Sequence, residues 1–294
     1  GAGTGARLYT LPNISAYVGG DIVAGLLAHD VHGSGDNLLM IDVGTNGEIS
    51  LRARGTTYAC AAAAGPAFEG ARISCGMRAA TGAIDAVSPG LEDIEIHAID
   101  GAAPRGLCGT GLLDAVATLV GYGIVDETGR LLDREETLAL SPHPPAAVLD
   151  RLRADDGATS FLLHQNGDGT RIRLTQRDIR EFQLAKGAIA AGVSVLLDQG
   201  GLTEHDLDGV LLAGGFGSFL RPESALQVGL LPRGVTRDKV HFVGNASLAG
   251  ARLALLSDPM REEAEKIARE VRYLELSGRA DFQAAFVETM MFPG

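Results

Sequence analysis

Leu38-Leu39-Met40-Ile41-Asp42-Val43-Gly44-Thr45-Asn46-Gly47-Glu48-Ile49-Ser50-Leu51 carries an apolar run into an aspartate, through a Gly-Thr-Asn-Gly turn, and out along a second apolar segment. The pattern reads as a β-hairpin whose tight tip can press backbone N–H groups against phosphate oxygens. Gly44 and Gly47 remove Cβ interference there, while Thr45 and Asn46 add side-chain donors. Asp42, at the strand end, is placed to hold a magnesium ion through water, because magnesium keeps most of its hydration shell. The same residues also describe a structural Asn-Gly hairpin with a solvent-facing aspartate, so the hairpin alone does not decide.

Working outward, Val210-Leu211-Leu212-Ala213-Gly214-Gly215-Phe216-Gly217-Ser218 is a buried strand running straight into a glycine turn, with a helix expected around Pro222 to Val228. Bare backbone at such a turn accepts a base or ribose. A lone Gly-Gly-x-Gly says little, and it gains meaning from the phosphate-type hairpin upstream. Two helices begin with small residues. Asp21 is expected to cap one that turns Ile22, Val23, Leu26 and Leu27 to a core, with Gly19, Gly20, Ala24 and Gly25 permitting close approach. Asn245 is expected to cap the other, Ala246 to Ala251. Gly106-Leu107-Cys108-Gly109-Thr110-Gly111 opens a helix over Leu112 to Gly121, either as an anion site or as packing.

Between these signals the reading is coarser. The alanine run Ala61–Ala64 is compatible with a helix that Gly65-Pro66 would end. Glu69 sits among small residues, as the carboxylate of a tight polar site or as a partner for Arg72 or Arg78. Gly76 to Ile84 and Ile94 to Ile99 read as strands, Asp133 to Asp156 as surface connection, and Phe161–His164 with Thr170–Leu174 as a hairpin. Thr175-Gln176-Arg177-Asp178 resembles a capping box for a helix with Ile179, Phe182, Ala185, Ile189, Val193 and Leu196 on one face, stopped by Gly200-Gly201. Arg180, Gln183 and Lys186 share another face, which either sandwiches an adenine or ribose or is simply solvated. Val240 to Val243 and Val271 to Leu276 read as strands. Asp258-Pro259 opens a further helix, and Asp281 to Met290 forms a short one with Phe282, Phe286 and Met290 inward.

Composition narrows the classes. The chain has 294 residues, 46% of them hydrophobic, enough for a sizeable core in one large or two medium domains. Its apolar stretches, such as Ile189 to Leu197, fall short of the roughly 20 residues of a membrane span. A net charge of −12 without a basic patch argues against nucleic acid or an anionic membrane as partner. Cys60, Cys75 and Cys108 are odd in number and lack a C-x-x-C pair, so they fit neither a disulfide framework nor a zinc or iron–sulfur spacing. Buried thiols in a cytoplasmic protein are the expectation. The first residue is Gly rather than Met, and the Gly-rich start reads as the edge of a fragment.

The order of these parts resembles the second lobe of the actin, sugar-kinase and heat-shock-ATPase superfamily. Within that resemblance Asp42 to Glu48 is similar to the second phosphate hairpin and Ala213 to Gly217 to the adenosine motif. The helices from Asp21 and Ala246 correspond to the two that cross between lobes. Ile41 to Ile49, Ala63 to Ala71, Leu107 to Asp114, Leu184-Ala185-Lys186 and Ala213 to Gly217 together resemble the reductive activators of corrinoid proteins and their ferredoxin-like relatives. That resemblance spans nearly the whole chain.

The resemblance implies an α/β fold: an actin-like ATPase (ribonuclease-H-like) lobe, with a mixed sheet flanked by helices and a small inserted α+β region. Residues 1–35 would end in the inter-lobe helix, and 36–258 would form the nucleotide-binding lobe with an insertion at about 130–175. Residues 259–294 would pack back as helix, strand and helix. It implies ATP and magnesium as cofactors, with a [2Fe-2S] cluster only in an N-terminal domain outside this sequence. The partners would be a corrinoid or corrinoid/iron–sulfur protein and that iron–sulfur domain, with a homodimer allowed. Gly44, Thr45, Asn46 and Gly47 would bind phosphate, Asp42 would position magnesium, Gly214, Gly215, Phe216 and Gly217 would pack on adenosine, and Glu48 and Lys186 would complete the cofactor-binding set. Asp21 would orient water. Only one Asp-x-Gly-Thr hairpin is present where the superfamily uses two, so half a nucleotide clamp, inactive alone, is expected. A nucleotide-binding module without turnover and a small-molecule kinase are the alternatives.

Overall fold

Leu39, Met40 and Ile41 are all buried in β1 (Leu38–Val43), so this strand is covered on both faces. The computed structural model describes residues 4–6, 8–140, 144–155, 157–217 and 220–293, and the side chains of Asp155, Phe216 and Gly217 lie outside the description. β1 turns through Gly44–Asn46 into antiparallel β2 (Gly47–Ala53), and Arg54-Gly55 returns the chain as β3 (Thr56–Ala62). Arg54 and Gly55 have φ of 48° and 84°, the left-handed pair that a two-residue turn between twisted strands needs. The start of the alanine run is therefore strand, not helix. Cys60 to Ala62 pair with Ile49 to Gly47, and that ladder outweighs alanine's helix preference.

β4 (Ala83–Pro89), β5 (Ile94–Ala98) and β6 (Gly106–Leu107) make a small sheet in the order β5-β4-β6. The strand expected from Gly76 begins only at Ala83. Gly76 is wedged against Gly70, where a Cβ would stand 1.9 Å from the Gly70 carbonyl oxygen, and it makes a single bridge to Leu107. α2 (Gly109–Gly121) packs on β4 through Gly111, whose Cβ would lie 2.2 Å from the Ile84 carbonyl oxygen. Short α3 (Arg134–Leu138) and α4 (Ala146–Leu149) lead to a third sheet of β7 (Leu152–Asp155), β8 (Ala158–Gln165) and β9 (Arg171–Thr175).

α5 (Gln176–Gly200) starts on a reciprocal capping box between Thr175 and Asp178 and ends at Gly201 in the left-handed conformation. It lies along β2 and β3. A Cβ at Gly192 would meet Ile49 Cδ1 at 2.6 Å, and one at Gly200 would meet Ala53 Cβ at 2.7 Å. β10 (Gly209–Ala213) runs parallel to β1 and feeds α6 (Gly214–Gly217) and α7 (Pro222–Gln227). β11 (Val240–Gly244), α8 (Ala246–Leu256), α9 (Asp258–Glu270), β12 (Arg272–Tyr273) and α10 (Ala280–Met290) complete the chain. β12 takes up only the start of the strand expected over Val271 to Leu276.

The main sheet has the order β11-β10-β1-β2-β3-β12, antiparallel in the middle and parallel on both flanks. Leu39 and Ile41 face α5 in one core, while Met40 faces a second core of Val18, Ile22, Val23 and Leu26 from α1 (Gly20–Ala28) and its approach. α1 crosses α8 at very short range, with Gly250 against the backbone of Ala24. Asn245 caps α8 by accepting from Leu248 N–H at 2.8 Å. Asp21 is not a cap. Gly19 holds that position, and Asp21 lies in the first turn with its carboxylate accepting from Ile22 N–H. Asp258 likewise sits inside α9 and pairs with Arg261, behind Ser257 at the cap position. Among the described residues no helix is long and apolar enough to cross a membrane.

Candidate functional site

Because β1 and β10 are parallel neighbours with Asp42 opposite Ala213, the hairpin tip and the Gly214–Gly217 turn leave the same end of the sheet. They are in near contact there. A Cβ at Gly214 would stand 2.5 Å from Asp42 Oδ1 and 3.3 Å from the Val43 carbonyl oxygen, and Gly214 has φ +86°. Val43, Glu69, Arg78, Gly109, Thr110 and Gly215 line one cavity of about 650 Å³. Two glycine turns far apart in sequence, at Gly109 and Gly215, thus open on one space with Val43 at the foot of the hairpin tip. The ring of Phe216, and Ser218, lie outside the described residues. Gly214→Ala, strained in φ and pressed on Asp42, is expected to cost about 1–3 kcal/mol in a urea titration and to weaken nucleotide binding measured by calorimetry.

Asp42 stands directly across from Glu48 on β2, and the Asp21 carboxylate bears on both. Burial, then the Asp21 charge, holds the Asp42 carboxyl above its usual range. Glu48 is pushed up to about 7 by burial first and by Asp42 and Asp21 next. Three crowded carboxylates with only oxygen donors suit magnesium. Among the described residues no group of three His, Cys, Asp or Glu side chains is placed to hold a metal ion. At the tip, Gly44 N–H donates to the Asn46 carbonyl oxygen at 3.0 Å, Thr45 and Asn46 are exposed, and the Thr45 hydroxyl donates to the Glu69 carboxylate. Glu69 therefore has neither of its two expected arginine partners. Arg72 instead faces Glu181 at 3.8 Å, and Arg78 is exposed without an ion pair among the described residues.

The family described as "C-terminal domain of RACo the ASKHA domain" matches residues 36–294. The chain belongs to that family. The actin-like ATPase fold, a mixed sheet flanked by helices, is thereby the fold of this ASKHA domain. Residues 2–34 match the "RACo middle region". The chain is 34% identical over 286 residues to the corrinoid activation enzyme RamQ of Eubacterium limosum, covering 96% of this chain and 47% of that protein. It is 28% identical over 282 residues to the [Co(II) methylated amine-specific corrinoid protein] reductase of Methanosarcina barkeri, covering 88% and 46%. A solved reductive activator for corrinoid, iron-sulfur protein superposes with a TM-score of 0.84 at 40% identity, over 97% of this chain and 44% of that one. The chain thus spans about half the length of the relatives it matches.

Two residues of this ASKHA domain are used differently from the sequence reading. Gly47 is not part of a left-handed Asn-Gly turn. It opens β2 opposite Val43, and a Cβ there would strike Ile189 Cγ1 at 2.6 Å, so its missing side chain admits α5. Lys186 is neither solvated nor open to the hairpin cavity. Its ammonium donates to the Met291 carbonyl oxygen at 2.6 Å, lies 4.9 Å from the Phe292 ring centre and lines a separate cavity of about 570 Å³. Gln183 is buried beside it, donating to the carbonyls of Thr128 and Met290, while Arg180 alone of that face stays exposed. The C-terminal segment covers this face, a long-range packing event that helix periodicity does not carry.

Burial, with Arg233 nearby, lowers Lys186 to about 7. Between that value and its ordinary 10.5 the unfolded chain holds the extra proton, so this residue makes stability rise with pH from about 7 towards 10. Urea midpoints at pH 7 and 9 should show that rise, and Lys186→Met should flatten it. The cysteines are all free, with Cys60 and Cys108 buried. Burial raises Cys60 to about 12 and, with Asp178 next, Cys75 to about 11. At those values the thiolate fraction near neutral pH is very small.

Proposed function

We propose that this ASKHA domain binds ATP with magnesium and, within a reductive activator, drives electrons from an iron–sulfur domain to a cob(II)alamin protein. The shared cavity carries the reading: Val43 at the foot of the phosphate-type tip, Glu69 bonded to Thr45 of that tip, and Gly215 of the strand-end glycine turn line one space of about 650 Å³, within the range of small-ligand pockets. In this proposal Gly44, Thr45, Asn46 and Gly47 receive phosphate, and Asp42, flanked by Glu48 and Asp21, holds hydrated magnesium. Gly214, Gly215, Phe216 and Gly217 lie against adenosine, with Arg78 a cation on the cavity wall. Magnesium held through Asp42 would supply positive charge against the phosphates. The chain's own residues position the nucleotide, and Asp21 orients water. Closure about the nucleotide is the coupling step, a hinge motion of the kind ATPases of this shape use.

The matched relatives named for corrinoid activation support the corrinoid partner, and three free thiols accord with a cytoplasmic setting. The test is made on the full-length gene product. Calorimetry should show ATP binding that requires magnesium, and the visible spectrum of a cob(II)alamin protein should turn to cob(I)alamin only with ATP and a reductant. Reduction at the same rate without nucleotide would refute the proposal.

A further inference from the structure

We infer that Glu69 accepts the proton of the attacking water when a terminal phosphate lies on the Gly44–Gly47 tip, an inference that rests on the nucleotide reading above. Glu69 ends a 3₁₀ turn, Pro66–Glu69, bracketed by Gly65 and Gly70 with φ of 76° and 80°. The turn is rigidly seated. A Cβ at Gly70 would stand 2.5 Å from the Met77 carbonyl oxygen, and buried Phe68 meets the Phe182 ring edge-on at 5.7 Å. Its carboxylate reaches the tip itself, where it accepts from the Thr45 hydroxyl. No arginine is ion-paired to Glu69 among the described residues, so its charge is left for the cavity it lines.

The Thr45 hydroxyl has one proton to donate. A phosphate oxygen arriving at the tip takes that donor, and Glu69 is left with lone pairs facing the terminal phosphate. A water molecule supplies the replacement donor. As its oxygen bonds to phosphorus, its proton passes to Glu69, and the bond from phosphorus to the bridging oxygen breaks with the electron pair leaving on the nucleoside diphosphate. Glu69 then returns the proton to solvent. Asp42, Glu48 and Asp21 crowd at the end of β1, where a dication needs them, so the proton acceptor is a fourth carboxylate held on a different turn.

The experiment compares wild type, Glu69→Gln, Glu69→Asp and Asp21→Asn in the full-length gene product, reading the Kd for magnesium–ATP and single-turnover phosphate release across pH. Glu69→Gln should bind within about 3-fold of wild type yet release phosphate about 100-fold more slowly. Glu69→Asp should recover part of the rate, whereas Asp21→Asn should weaken magnesium–ATP binding along with the rate. Wild-type turnover in Glu69→Gln, or equal losses of affinity and rate, would overturn the inference alone. A wild type that binds ATP in no form would take down the nucleotide reading and this inference with it.

Discussion

Asp42→Asn in the full-length gene product will slow ATP turnover by about 100-fold or more while leaving the domain folded. Asparagine keeps the shape and the position opposite Glu48 but removes the charge that the proposal assigns to the magnesium shell. The same change relieves the repulsion among Asp42, Glu48 and Asp21. The urea midpoint should therefore stay level or rise as turnover falls. This opposition separates a functional carboxylate from a structural one, because a residue kept for folding would lose both together. Phosphate release and equilibrium unfolding on the same preparations measure it. Undiminished turnover would remove Asp42 from the mechanism.

Gly250→Val will destabilise the domain by about 3 kcal/mol or more, the upper end of what overpacking costs. A Cβ at this position would lie 1.9 Å from the Ala24 carbonyl oxygen and 2.4 Å from its carbonyl carbon. Backbone cannot rotate aside as a side chain can, so α8 must move off α1. Ala251→Val, one residue on and exposed, should cost about 0.5 kcal/mol. Since α1 carries Asp21 in its first turn, the displaced crossing should also weaken magnesium–ATP binding, measured by calorimetry at a temperature where the variant stays folded. A Gly250→Val protein with wild-type stability would show that the two helices do not pack through this glycine.

Asp42 and Gly250 were legible from the chain alone for different reasons. Asp42 is the next-to-last residue of a six-residue strand before a glycine tip, and Gly250 belongs to a small-residue helix start behind an asparagine cap. Both signals are local, set by neighbours within a few residues. The capping box at Thr175 and the stop at Gly201 are of the same kind. The resemblance to corrinoid-protein activators likewise rested on contiguous motifs, and the family match agrees with it.

Contacts between distant segments were not legible. The alanines after Cys60 look helical until β2 supplies their ladder, and Gly47 looks like a turn residue until Ile189 is laid over it. Lys186 looks solvated until Met291 and Phe292, more than a hundred positions on, close over its ammonium. Glu69 had an arginine as its nearest plausible partner in sequence, yet the fold gives it the Thr45 hydroxyl. Sequence by itself determined the β1–β2 hairpin, the caps at Thr175 and Asn245 and the stop at Gly201, because those signals are short-range. Which side chains those turns bring to one cavity was decided only in three dimensions, where close packing places residues from opposite ends of the chain in contact.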